Sequence, residues 1–223
     1  MKLVLLPGLD GTGVLFQPLL SILSSEIKVQ VIPLKQEAQL TYSEQAKYVA
    51  SLIGKEEVVV LAESYSGLVA YELAKLDHVK LSHIVFVASF IGAPSFIAPI
   101  AQFLPMNIVK SGFIPRKFVG KFLFGSYASE ELVNLFYNSL NKVETNVIKW
   151  RLKQVVSIPE VSEKIDIPCT YMQATQDNLV LKSSLEKFRE LCSSLVVEEI
   201  DGTHFLLQTN PARSAEVLSG IVV

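Results

Sequence analysis

Six β-rich, largely apolar runs punctuate the chain, at Leu3 to Leu6, Val29 to Ile32, Val58 to Leu61, Ile84 to Val87, Cys169 to Met172 and Leu195 to Ile200. Helical patterns separate them. A strand with one wet face alternates apolar and polar side chains, whereas near-continuous apolar runs belong to strands covered on both faces, the arrangement of parallel sheets. The pattern therefore predicts an α/β fold: a minimal six-stranded parallel sheet, doubly wound, formed by residues 1–223 as a single domain. Between Val87 and Cys169 the connection is about eighty residues long, far beyond the dozen or so that a crossover needs. The excess predicts an inserted helical cap over residues 92–165.

The third run leads into Leu61-Ala62-Glu63-Ser64-Tyr65-Ser66-Gly67, which reads as a nucleophile elbow. In such a turn a serine held at unfavourable φ and ψ projects its hydroxyl from the top of the sheet, and its close neighbours must be small. Ala62 and Ser66 stand two positions either side of Ser64, where Gly-x-Ser-x-Gly has glycines. Choosing Ser66 as nucleophile would put branched Leu68 in that crowded place, so Ser64 is the candidate.

An activated serine needs oxyanion donors, a base, and an acid to orient the base. The first run ends in Pro7-Gly8-Leu9-Asp10-Gly11-Thr12-Gly13, a glycine-rich loop able to bring a backbone N–H beside a nucleophile. The N–H groups of Leu9 and Tyr65 are the candidate oxyanion pair. A phosphate-binding reading of this loop fails on spacing: its first two glycines are separated by two residues rather than one, no Gly-Lys-Ser/Thr follows, and Asp10 would repel phosphate. Downstream, Asp177 follows the fifth run as candidate acid and His204 follows the sixth as candidate base. His78 and His83 precede the acid, in the wrong chain order. Asp201 and Asp166 are alternative acids, the first too near His204 in sequence and the second ahead of its strand.

On these motifs, together with Gly202-Thr203-His204-Phe205, the chain resembles the α/β-hydrolase family along nearly its whole length. Pro7 stands where many members carry histidine. The resemblance implies that the antiparallel hairpin opening many of these sheets is missing, since the first strand already feeds the oxyanion loop. Within the family, the Leu-Pro-Gly-Leu-Asp-Gly-Thr-Gly opening is similar to small bacterial hydrolases and acyltransferase-like plant relatives. The size, elbow and cap also resemble carboxylesterases that release pimeloyl-acyl carrier protein from its methyl ester in biotin synthesis. The activity implied is a serine carboxylesterase working through an acyl-enzyme. An acyltransferase or thioesterase on the same triad, and a ligand-binding protein without turnover, are the alternatives.

Composition narrows the partners. Hydrophobic residues make up 50% of the chain, enough for a full core. No apolar stretch reaches the roughly 20 residues of a membrane span, and the short apolar start runs straight into the oxyanion loop rather than a cleavage site. The expectation is a cytoplasmic protein with no membrane span. Two cysteines in predicted elements suggest buried thiols, and three scattered histidines offer no metal cluster; no metal and no cofactor is implied.

The cap region is apolar and aromatic, from Phe96, Phe103 and Phe113 to Phe118, Phe122, Phe124 and Phe136. Most of these would pack the cap onto the body; Phe122 and Phe136 are the candidates for an acyl pocket. Residues 92–165 carry nine Lys and Arg against five Glu, a net of +4, while the remainder carries −6. A basic cap would steer an anionic small-molecule ester or an acidic acyl carrier protein to the mouth of the site, with Arg116, Lys117, Lys121 and Arg151 as carrier contacts. Nothing in the chain has the charge or motifs of a nucleic-acid binder.

Overall fold

The computed structural model describes residues 1–92, 110 and 114–222. Six strands, β1 (Lys2–Leu6), β2 (Lys28–Val31), β3 (Glu57–Glu63), β4 (Lys80–Val87), β5 (Cys169–Gln176) and β6 (Leu195–Thr203), form one sheet in the order β2-β1-β3-β4-β5-β6. Every pairing among them is parallel. The six runs correspond to these six strands, and no antiparallel pair occurs in the sheet among the described residues.

Strand alternation explains why the inner runs are almost wholly apolar. Val4, Leu6, Val58, Val60, Ala62, Ile84 and Phe86 face one core, which is closed by helices Tyr42–Ile53, Ser66–Ala74 and Ser184–Leu191. Leu3, Leu5, Val59, Leu61, Val85 and Val87 face the other, closed by Gln17–Leu20, Leu206–Thr209 and Pro211–Val222. Both sets are buried completely, and each large aliphatic side chain so placed contributes about 1.5–3 kcal/mol. Local signals set the helix ends. Thr41 and Glu44 form a capping box at the start of Tyr42–Ile53, and Gly54, at φ +71°, ends it.

Between β4 and β5 the described residues include three helices, Arg116–Phe124, Glu130–Asn141 and Thr145–Val156. The apolar positions Phe96, Phe103 and Phe113 lie outside the described residues. Cys169 and Cys192 are buried free thiols, and no helix among the described residues is long and apolar enough to cross a membrane.

Candidate active site

Sheet order places the site. The chain leaves β1 towards β2 on one side and returns as β3 on the other, so the loops after β1 and β3 flank a topological switch point. Leu6 pairs with Ala62, which sets Pro7-Gly8-Leu9 beside Glu63-Ser64. A Cβ built on Gly8 would lie 3.6 Å from the Ser64 Cβ. At the other end of the sheet Gln176 pairs with Thr203, which puts the next residues, Asp177 and His204, side by side. The ladder shifts between Ala174 and Gln176, where β6 carries an extra residue; bulges of this kind re-aim side chains near functional sites.

The elbow has the strained geometry its composition suggested. Ser64 sits at φ +49°, in the left-handed region, and the next helix begins at Ser66. Such a conformation costs a non-glycine residue about 1–3 kcal/mol and persists only where the surroundings hold it. Here the Ser64 N–H donates to Val87 at 2.9 Å, and its carbonyl accepts from Gly67 N–H at 3.1 Å and the Ser89 hydroxyl at 2.7 Å. The close approach falls at Gly67 rather than at Ser66. A Cβ on Gly67 would meet the Ser89 Oγ at 1.9 Å, whereas the buried Ser66 hydroxyl donates to the Pro7 carbonyl and ties the Ser64 turn to the loop after β1.

Three candidate side chains from three loops meet in a line. The Ser64 Oγ lies 2.9 Å from His204 Nε2, and His204 Nδ1 lies 2.9 Å from Asp177 Oδ2. The other oxygen of Asp177 accepts the N–H groups of Leu179 and Val180 at 2.8 and 2.9 Å. Burial opposes its charge, but the neighbouring His204 and these donors outweigh it and hold the carboxyl below its ordinary value. Burial likewise pushes His204 down, yet the charge and hydrogen bond of Asp177, with a contribution from Glu63, carry it above the ordinary histidine value. Asp201, the rival acid, is engaged elsewhere, accepting from Tyr127, Thr175 and Gln176; Asp166 accepts from Ser193.

A second buried carboxyl adjoins this line, and sequence reasoning missed it. Glu63 is 4% exposed. Its Oε1 accepts from Gln208 Nε2 at 3.1 Å and the Gly8 N–H lends the carboxyl a weak backbone contact, while Oε2 makes no hydrogen bond of full geometry among the described residues. Burial pushes this carboxyl from 4.5 to about 7.

The loop Pro7–Thr12 is a tight turn in which Gly11 N–H donates to the Gly8 carbonyl at 3.0 Å. Asp10 Oδ2 accepts from the Thr12 N–H at 2.8 Å and from the Ser139 hydroxyl at 2.7 Å. Its side chain thus serves the turn and the inserted helix Glu130–Asn141. Ser64 itself is only half-buried, so the hydroxyl lies within reach of a ligand.

No protein-family model matches this chain, and no curated protein matches it in sequence. Solved structures do. An esterase from Exiguobacterium antarcticum superposes with a TM-score of 0.81 at 14% identity, over 100% of this chain and 91% of that one. A thermophilic esterase from Thermogutta terrifontis gives 0.81 at 14% identity, over 99% and 89%. The RedJ thioesterase of the prodiginine biosynthetic pathway in Streptomyces coelicolor gives 0.71 at 20% identity, over 99% and 84%. The fold is that of the α/β-hydrolases. In this α/β-hydrolase fold the loops after β1, β3, β5 and β6 carry Leu9, Ser64, Asp177 and His204.

The inserted helices meet the α/β-hydrolase body at Phe205, next to His204. Phe124 and Phe136 approach its ring with centroids at 5.0 and 6.0 Å, and Val133, Leu132 and Tyr137 complete the cluster. Phe136, a candidate for the acyl pocket, therefore packs on the residue that follows His204. The other candidate, Phe122, is 55% exposed. Arg116, Lys117 and Lys121 are exposed on the helix Arg116–Phe124. Arg151 corrects the sequence reading: it is 1% exposed, its guanidinium spent on main-chain carbonyls of the body, and it is not available to a carrier protein.

Proposed function

We propose that this chain is a serine hydrolase that cleaves a carboxylic ester through an acyl-enzyme. The observation that carries this reading is the unbroken line Ser64, His204, Asp177, with two contacts of 2.9 Å. In the proposed cycle His204 Nε2 removes the Ser64 proton as Oγ attacks the carbonyl carbon, and the carbonyl π pair moves onto oxygen. The N–H groups of Leu9 and Tyr65 receive that oxyanion. Asp177 holds the Nδ1 tautomer and stabilises the imidazolium. Collapse of the adduct expels the alcohol, protonated by His204, and water then enters by the reverse steps to release the acid. The same line serves a thioester equally well, because the leaving group faces the same acid.

A fluorophosphonate probe tests the reading. One stoichiometric adduct on Ser64, absent from Ser64→Ala and His204→Ala, is the expected mass-spectrometric result. No adduct on the folded wild-type protein would overturn it and leave the fold serving ligand binding without turnover.

The inserted helices act in this proposal as the cap that selects the acyl group, with Phe136 and Phe205 nearest the base. An acidic carrier presenting the acyl chain would meet Arg116, Lys117 and Lys121 on the exposed face of the first described inserted helix. Reversing Lys117 and Lys121 to Glu is then expected to raise KM about tenfold for a carrier-linked ester and to leave a small neutral ester unaffected. Equal effects on both substrates would remove the carrier from the proposal.

A further inference from the structure

Arg151 is an unusual residue to bury. Its guanidinium is not paired with any carboxylate among the described ion pairs. Nη1 donates to the carbonyls of Leu9 at 3.0 Å and Asp10 at 2.8 Å, and Nη2 to that of Lys35 at 2.9 Å. A helix that needed only to pack on the body would do so at lower cost with leucine or methionine, because burying a cation loses hydration that packing does not return. The approach is close enough to dictate its neighbour. A Cβ on Gly11, at φ +68°, would lie 2.3 Å from Nη1.

Two of the three carbonyls it holds, those of Leu9 and Asp10, belong to the loop proposed to bind the oxyanion. Peptide groups are planar and trans, so fixing a carbonyl fixes the N–H on the opposite side of the same unit. Three consecutive units are fixed in this way. The Pro7 carbonyl accepts from Ser66, the Gly8 carbonyl from Gly11 N–H, and the Leu9 carbonyl from Arg151. The Gly8 bond turns the Leu9 N–H away from the interior of the turn, and Arg151 locks the unit that follows. The same inserted helix, Thr145–Val156, also grips the second donor residue. Gln154 accepts the Tyr65 hydroxyl at 2.7 Å, and the Arg151 guanidinium lies 5.8 Å from the centre of the Tyr65 ring.

We propose that Arg151 is a positioning residue for the oxyanion hole: with Gln154 it lets the inserted helix Thr145–Val156 hold the peptide units that follow the Leu9 N–H and the Tyr65 side chain, and so keeps both donors in register with Ser64. This inference rests on the serine hydrolase reading. It also divides the insertion: the helix Thr145–Val156 is part of the catalytic frame and does not swing as a lid.

The test uses the full chain with Arg151→Met, close in size and uncharged, and Arg151→Lys, which keeps charge but loses the fork. Steady-state kinetics on a nitrophenyl ester are read beside inhibition by an aryl trifluoromethyl ketone. Ser64 Oγ adds to that carbonyl carbon, the C=O π pair becomes the oxyanion, and the serine proton passes to His204, so affinity reports the hole. Arg151→Met is expected to lower kcat about 10²-fold, the scale of one lost oxyanion donor, with KM within about twofold and ketone affinity falling in parallel. Arg151→Lys recovers part of both losses. If Arg151→Met does not fold, Arg151→Lys alone shows the same split, reduced in size. A folded variant with wild-type kcat and ketone affinity overturns the positioning role while leaving the hydrolase reading standing. A wild-type protein that neither turns over nor binds the ketone overturns that reading and this inference with it.

Discussion

His204→Ala is expected to lower kcat toward a nitrophenyl ester by about 10⁶-fold, and Ser64→Ala by a similar factor, because nucleophile and base act as one unit. The double variant should therefore be no worse than either single one. Asp177→Asn should cost about 10⁴-fold. The amide removes the charge that, with its hydrogen bond, lifts His204 against the downward push of burial, and it can present an N–H where the Nδ1 proton now points. Its loss should concentrate in kcat, with KM nearly unchanged, since Asp177 does not face the half-buried serine from the substrate side. Each variant keeps the sheet intact: Ser64 contributes one hydroxyl, and Asp177→Asn retains an oxygen for Leu179 and Val180 N–H. Circular dichroism and a denaturant midpoint serve as the folding check. A His204→Ala protein retaining a tenth of wild-type activity would put proton transfer on another group, and the line of contacts would then be only structural.

The parts of this site that could be read from sequence are those that leave a trace in residue type and order. The inner strands, largely buried on both faces, appear as near-continuous apolar runs, and the edge strands β2 and β6, which carry Gln30 and Glu198-Glu199, stay legible through their β-branched residues. Ser64, Asp177 and His204 each follow such a run, and parallel topology brings the ends of successive strands to one edge. What was hidden depends on partners that have no side-chain signature. Arg151 lies in Thr-Asn-Val-Ile-Lys-Trp-Arg-Leu-Lys-Gln, where it reads as one more solvated cation; its actual partners are backbone carbonyls of Leu9, Asp10 and Lys35. The crowding at Gly67 was assigned to Ser66 because Ser89, which creates it, comes from the end of a different strand. Glu63 occupies the variable position of the elbow, and no local pattern distinguishes a buried carboxyl there from an exposed one.

Glu63→Gln is expected to change the pH dependence of both stability and rate. In the native protein this carboxyl holds its proton up to about pH 7, whereas the unfolded chain releases it near 4.5. Between those values the native state binds more protons, so stability falls as pH rises. The slope is about 1.4 kcal/mol per unit, or about 3 kcal/mol across the window. The contribution is fully present below pH 4.5 and gone above 7. Glutamine titrates nowhere in this range and can still accept from Gln208, so the variant should match wild type near pH 4.5 and exceed it by up to about 3 kcal/mol at pH 8. Denaturant midpoints at the two pH values check this. For the rate, the Glu63 charge contributes to raising His204, and turnover needs the neutral imidazole. Removing that charge should move the acid limb of kcat/KM to lower pH, with the plateau retained. Both shifts come from one proton shared between stability and catalysis: the carboxyl under the oxyanion loop is most comfortable neutral, yet it is the anion that supports the charged histidine. Parallel stability profiles for the two proteins would mean that Glu63 is ionised throughout and that a donor from the loop pairs its free oxygen, and coincident rate profiles would mean that its charge does not reach His204.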